Sequence, residues 1–181
     1  MVFGFFRQKK HNRVIVDRQY AILTSAARVP HFYSDLSVPD TVMGRFEMLT
    51  IVLILFFRRT AKSPRSGQEL AQEIVDAFFL DVDHSIRELG VGDPGVPKRM
   101  KKLAGMFYGR LESYAAALDQ SDEAELASAL RRNIYPEAGD EAPDMQGLSR
   151  WMLQADETLA GRPEEEISSG TLSIMPPGGA R

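Results

Sequence analysis

Met48 to Phe57 is the most apolar run in the chain, MLTIVLILFF, with Thr50 its one polar position. A helix of that length rises about 15 Å, half the roughly 30 Å of a bilayer's hydrocarbon layer. Arg45 and Glu47 precede the run and Arg58-Arg59 close it. Apolar on every side yet too short to span, it predicts the buried central helix of a bundle. The flanking segments are amphipathic. Asn12 to about Val29 carries Val14, Tyr20, Leu23 and Ala27 near one stripe, and Pro30 ends it. The link HFYSDLSV then leads to Pro39-Asp40, where Asp40 is positioned to cap the central helix.

Further helices follow from the same reasoning. Lys62 to Gly67 (KSPRSG) is a loop by composition, and Ser66 with Glu69 has the capping-box spacing that opens a helix to Leu89. Gly90 lies beyond it as the C-cap glycine, starting a tight loop to Gly95. Val96 to Leu118 sets Met100, Leu103, Phe107, Leu111 and Tyr114 on one stripe. Ser121 caps a helix to about Asn133, and the loop YPEAGDEAPD leads to a last helix from about Met145 to Ala160 that holds the single Trp, Trp151. After Arg162 the density of Pro and Gly predicts a mobile tail in which TLSIM forms at most one short extended piece. The expectation is an all-α protein, one compact bundle of six or seven helices. Residues 1–11 form an N-terminal extension, 12–161 the helical domain and 162–181 a flexible tail.

Charge changes this picture more than composition does. The 181 residues, 44% hydrophobic and 26% charged, suit one ordinary globular domain. The net charge of −3 hides a polarity: residues 1–65 carry 11 Lys/Arg against 4 Asp/Glu, and residues 119–181 carry 5 against 13. A basic front and an acidic rear suit different neighbours. There is no cysteine, which excludes disulfides, thiolate catalysis and cysteine-held metal, and agrees with a reducing cytosol. The start, MVFGFFRQKK, lacks the apolar region of a secretory signal; its Phe3, Phe5 and Phe6 beside Arg7, Lys9 and Lys10 suit a membrane interface or simple packing.

Catalytic chemistry finds little support. Asp81, His84 and Glu88 fall near one helical face, and a carboxylate three residues before a histidine is half of a di-iron site. The other half is missing, because neither His11 nor His31 has an acid three positions earlier. No nucleophile motif or phosphate loop is present, and GVGDPG lacks the preceding strand a dinucleotide site requires. No enzyme, metal or cofactor is therefore expected. The stronger signal is Lys98, Arg99, Lys101 and Lys102, four like charges in five residues that cannot stabilise one another. They suit phosphate, an acidic protein segment or anionic lipid. Tyr108 and Arg110 stand nearby as interface-type residues.

Several motifs in this order resemble the ubiquinol–cytochrome c chaperone family. They are FYSDLSVPDTVMGRFEML (Phe32 to Leu49), Arg58-Arg59, FFLDVDHSIRE (Phe78 to Glu88), RELGVGD (Arg87 to Asp93), VPKRMKK (Val96 to Lys102) and FYGR (Phe107 to Arg110), together covering roughly residues 30–120. The resemblance implies a helical, non-enzymatic assembly factor that binds newly made cytochrome b and promotes assembly of ubiquinol–cytochrome c reductase, respiratory complex III, with the ribosome as a further partner. It makes Asp81, Asp83, Arg87, Glu88, Asp93, Lys98, Lys101, Lys102, Tyr108 and Arg110 the expected client or ribosome surface. It also implies a cytoplasmic protein, or one peripheral at the cytoplasmic face of a bacterial inner membrane, with no DNA partner. A reading from a different class is a general helical adaptor that binds RNA or an anionic membrane through Lys98 to Lys102.

Overall fold

The computed structural model describes the backbone of residues 2–178 and the side chains of 12–178. The expected contacts of Phe3, Phe5 and Phe6 lie outside the described side chains. Among the described residues the α-helices are six long ones and two of about one turn, in line with the expected all-α bundle. They are α1 (Val2–Ala27), α2 (His31–Ser34), α3 (Val42–Thr60), α4 (Arg65–Glu88), α5 (Val96–Asp119), α6 (Glu123–Ile134), α7 (Gln146–Ala160) and α8 (Glu164–Ser168). Helix α1 runs through residue 12 without a break.

Helix α3 is the axis of the fold. Ile51 to Phe56 are all 0% exposed, and α1, α4, α5 and α7 pack around the helix. Each such side chain contributes about 1.5–3 kcal/mol by leaving water, so this one stretch is the most concentrated block of burial in the fold. An aromatic seam joins it to its neighbours: Phe107 of α5 lies 5.3 Å from Phe78 of α4 and 6.2 Å from Phe57 of α3. Where α3 ends, Arg58 forks onto Asp156 of α7 at 2.8 and 3.1 Å and reaches Asp119 of α5 at 2.8 Å. Arg59 donates to the Arg162 carbonyl and to Glu164 at the start of α8.

The caps differ from the sequence expectation by a residue or two. Thr41, not Asp40, caps α3, its hydroxyl accepting from the Gly44 N–H at 3.1 Å; Asp40 instead pairs with Arg45. Helix α4 starts at Arg65 behind Pro64, so Ser66 lies inside it. Asp122 rather than Ser121 caps α6, accepting from the Glu125 N–H. Gly90 does end α4 as expected, at φ 78°.

The larger correction concerns the tail. Residues 164–175 are not loose: Ile167 and Leu172 are 0% exposed and Ile174 is buried with them. The reason is backbone pairing by buried side chains. Gln19 of α1 donates to the Leu172 carbonyl at 2.8 Å and accepts from the Leu172 N–H at 3.0 Å. The indole of Trp151 donates to the Met175 carbonyl at 3.1 Å. At Gly170, φ is 67° and a Cβ would sit 2.5 Å from the Ile15 carbonyl oxygen, so only glycine lets the chain turn this close to α1. The tail thereby lies between α1 and α7.

Leu172→Ala is accordingly expected to cost about 2–5 kcal/mol, as for other large-to-small changes in a closed core. Urea denaturation measures it, and a loss below that of an ordinary surface substitution would mean that the tail is not part of the core.

Candidate functional site: an open apolar cleft with a basic lip

The bundle is open at one end. A cleft of about 670 Å³ lies where the C-terminal ends of α1 and α4 meet the N-terminal halves of α3 and α5. Its floor is apolar: Phe46 and Leu49 from α3, Phe78, Val82 and Ile86 from α4, Leu103 and Met106 from α5. Its lip keeps large apolar side chains in water, with Val42 60%, Met43 43% and Leu89 57% exposed. Arg28, Arg45, Arg99 and Lys102 also line it, against the acids Asp81 and Glu137. Its volume falls within the range of ligand pockets. Exposed apolar residues grouped around a concavity mark a binding surface more specifically than scattered ones do.

The residues expected from sequence divide into four groups. Asp81 reaches the cleft wall, where the Tyr20 hydroxyl donates to it at 3.0 Å; burial, with the Asp81 charge adding to it, pushes that hydroxyl far above the ordinary tyrosine range. Asp83, Arg87 and Asp93 form a local clamp. The Arg87 guanidinium donates to Asp83 at 2.7 Å and to Asp93 at 2.6 Å, tying the last turns of α4 to the 3-10 turn Asp93–Gly95. Its hydrogen bond to Asp83 holds that carboxyl below the usual aspartate range. The clamp neutralises two of the carboxylates that were expected to face a partner; Glu88 remains exposed. Lys98, Lys101 and Lys102 are exposed on the first turns of α5, and Tyr108, 55% exposed, leans on Phe107 at 5.3 Å.

Arg110 is the correction. It is buried, and its guanidinium grips both carboxylate oxygens of Glu47 on α3 at 2.5 Å. Two further donations, to the carbonyls of Met106 and Asn133, complete it. Burial pushes the Glu47 carboxyl upward while Arg110 pulls it back toward the charged form. The pair joins α3 to α5 close to Phe46 and Met106 of the cleft floor, so the Arg110 guanidinium is spent inside the bundle and is not on the exposed surface expected from sequence. Sequence reasoning also missed the lip residues Val42 and Met43, because an apolar helix start looks the same whether it is covered or open. Among the described residues no group of three or more His, Asp or Glu is placed to hold a metal ion, and none of their helices is long and apolar enough to cross a membrane.

A helical bundle that leaves an apolar cleft open with charge at its lip has the form of a protein that holds other chains. The chain belongs to the ubiquinol-cytochrome C chaperone family, whose model matches residues 34–174; the family is one of chaperones, not enzymes. It is 23% identical over 180 residues to ubiquinol-cytochrome-c reductase complex assembly factor 1 of Xenopus laevis, covering 96% of this chain and 88% of that protein. It is 26% identical over 158 residues to the mitochondrial protein CBP3 of Saccharomyces cerevisiae, covering 82% of this chain and 45% of that protein. The crystal structure of the Cbp3 homolog from Brucella abortus superposes over the whole of both chains, with a TM-score of 0.88 and 46% identity.

Two measurements test the electrostatic assignments. Arg110→Ala leaves Glu47 buried without its partner and is expected to cost about 3–5 kcal/mol in chemical denaturation, whereas Glu47→Leu with Arg110→Met recovers most of that loss. Equal losses in the single and double variants would refute the assignment. For Asp83, the depressed folded-state value means that its contribution to the clamp is present above the ordinary aspartate value of about 3.9 and is lost as pH falls through the folded value below it. Carboxyl NMR titration should show that low midpoint, and Arg87→Ala should raise it.

Proposed function

We propose that this protein is a chaperone in the assembly of ubiquinol–cytochrome c reductase and that it holds newly made cytochrome b by seating an apolar segment of that client in the cleft. The observation that carries the reading is the open cleft itself, with Val42, Met43 and Leu89 kept in water around an apolar floor. A polytopic membrane protein emerges with apolar helices that have no partner yet, and a concave apolar surface shields one such segment until it can be inserted. The relatives' names supply the complex; the chemistry of the cleft supplies the mode of holding. The rim also changes the expected division of charge. With Asp83 and Asp93 already satisfied by Arg87, the cations at the lip, Arg28, Arg99 and Lys102, are what a segment's flanking polar groups would meet.

Removing the gene tests the role, and changing the lip tests the site. Without the protein, membranes should lose cytochrome b absorbance and assembled complex III together while other cytochromes remain; normal levels of both would sink the proposal. Met43→Glu with Leu89→Glu places charge on exposed positions, where substitutions change stability by only about ±0.5 kcal/mol. Because an apolar segment cannot be seated against buried charge, co-purification of cytochrome b with this variant should fall roughly 30-fold, the effect of losing one interface hot spot of about 2 kcal/mol. Undiminished capture would place the client elsewhere.

A further inference from the structure

The cations that open α5 make no ion pair among the described residues, and neither does Arg28 across the cleft, although many other arginines do. Arg45, Arg58, Arg59, Arg65, Arg87 and Arg110 each meet a carboxylate, while Lys98, Arg99, Lys101 and Lys102 meet none. Their placement works against the helix that carries them. Positive charge in a first turn opposes the helix dipole, and α5 has neither an acidic residue in its first turn nor a side-chain cap to offset it. Like charges one turn apart add repulsion. A feature that weakens its own helix and pairs with nothing inside the molecule is explained by something outside it.

The neighbourhood narrows the choice. Arg99 and Lys102 line the same cleft as Val42, Met43 and Leu89, so part of the cation cluster shares this end of the molecule with three exposed aliphatic side chains, while Val14 and Leu80 are exposed outside it. Lysine beside aliphatic side chains suits a lipid surface: the ammonium groups sit at headgroup phosphates while the aliphatic groups enter the boundary with the acyl chains. Single-stranded RNA binding uses free aromatic faces for stacking, and the exposed aromatic ring of α5, Tyr108, is instead packed against Phe107 and Phe79. With no helix among the described residues able to cross a membrane, such contact is peripheral.

We propose that this end of the molecule docks on an anionic phospholipid bilayer, with Lys98, Lys101 and Lys102 on headgroup phosphates and Val42, Met43 and Leu89 in the headgroup layer. The cleft mouth then opens toward the membrane. Val42, Met43, Leu89 and Lys102 belong also to the proposed client seat, but Lys98 and Lys101 lie outside the cleft lining, so a variant of those two lysines tests the membrane surface apart from the chaperone reading.

The test is sedimentation of the purified full chain with vesicles of phosphatidylcholine alone and of phosphatidylcholine with phosphatidylglycerol. Binding is expected only to the anionic vesicles and should weaken as salt rises. Lys98→Gln with Lys101→Gln, both exposed positions, should reduce it about fivefold for each lysine and roughly thirtyfold together. Val42→Ser with Met43→Ser should weaken the part of the binding that survives high salt. Equal sedimentation of the lysine variant and the parent, or no preference for anionic vesicles, would overturn the proposal. So would binding to an RNA oligonucleotide that the lysine variant loses while vesicles are ignored, which would assign the patch to nucleic acid.

Discussion

Helix α3 is apolar around its whole circumference, and keeping water off it is the constraint from which the rest of the architecture follows. One neighbouring helix covers one stripe; a helix with no polar face needs a ring of them. Helices α1, α4, α5 and α7 supply that ring, and the paired arginines after Phe57 fix where two of its members stand, Arg58 holding α5 and α7 by their carboxylates. The same logic explains the ion pair of Glu47 and Arg110. A carboxylate within the first turns of so apolar a helix is tolerable only with a charged partner that also satisfies its remaining hydrogen-bond capacity, and Arg110 provides two bonds to it.

That constraint made the helical core legible in the sequence, since period and hydrophobicity point the same way in Met48 to Phe57 and in the stripe of α5. The caps were less legible because Asp40, Thr41, Ser121 and Asp122 are all competent residues side by side. The choice between them falls to contacts made elsewhere, such as Asp40 with Arg45. Arg110 shows a signal that was present and outweighed. It lies three residues after Phe107 and four before Tyr114, within the core stripe, and the unmatched Glu47 of the central helix was available as its partner. Charge suggested a surface; periodicity, followed strictly, indicates the interior.

The tail and the cleft escaped sequence reading for a common physical reason. Both depend on which gaps between helices remain once the ring is assembled, a property of packing and not of any local segment. Pro and Gly between residues 170 and 178 suggested mobility, yet a short extended run with Leu172 and Ile174 facing inward needs only two residues to bury and a side chain to satisfy its backbone. Gln19, a polar residue 0% exposed, was the sequence-level trace of that demand.

Taken together, tail and cleft show how this bundle deals with incomplete coverage. Between α1 and α7 the chain closes its own gap, with Ile167, Leu172 and Ile174 as the filling and Gln19 and Trp151 holding the backbone. Between the ends of α1, α3, α4 and α5 a comparable apolar gap is left without filling from the described chain. The Glu47–Arg110 pair beside its floor ties α3 to α5 at a fixed spacing, because separating a buried ion pair is strongly unfavourable. A cavity left open by the described residues keeps apolar surface exposed at a fixed place. On the proposed reading, the energetic cost of that exposure is recovered when another chain supplies the missing segment, which gives a chaperone its preference for an unassembled client over an assembled one.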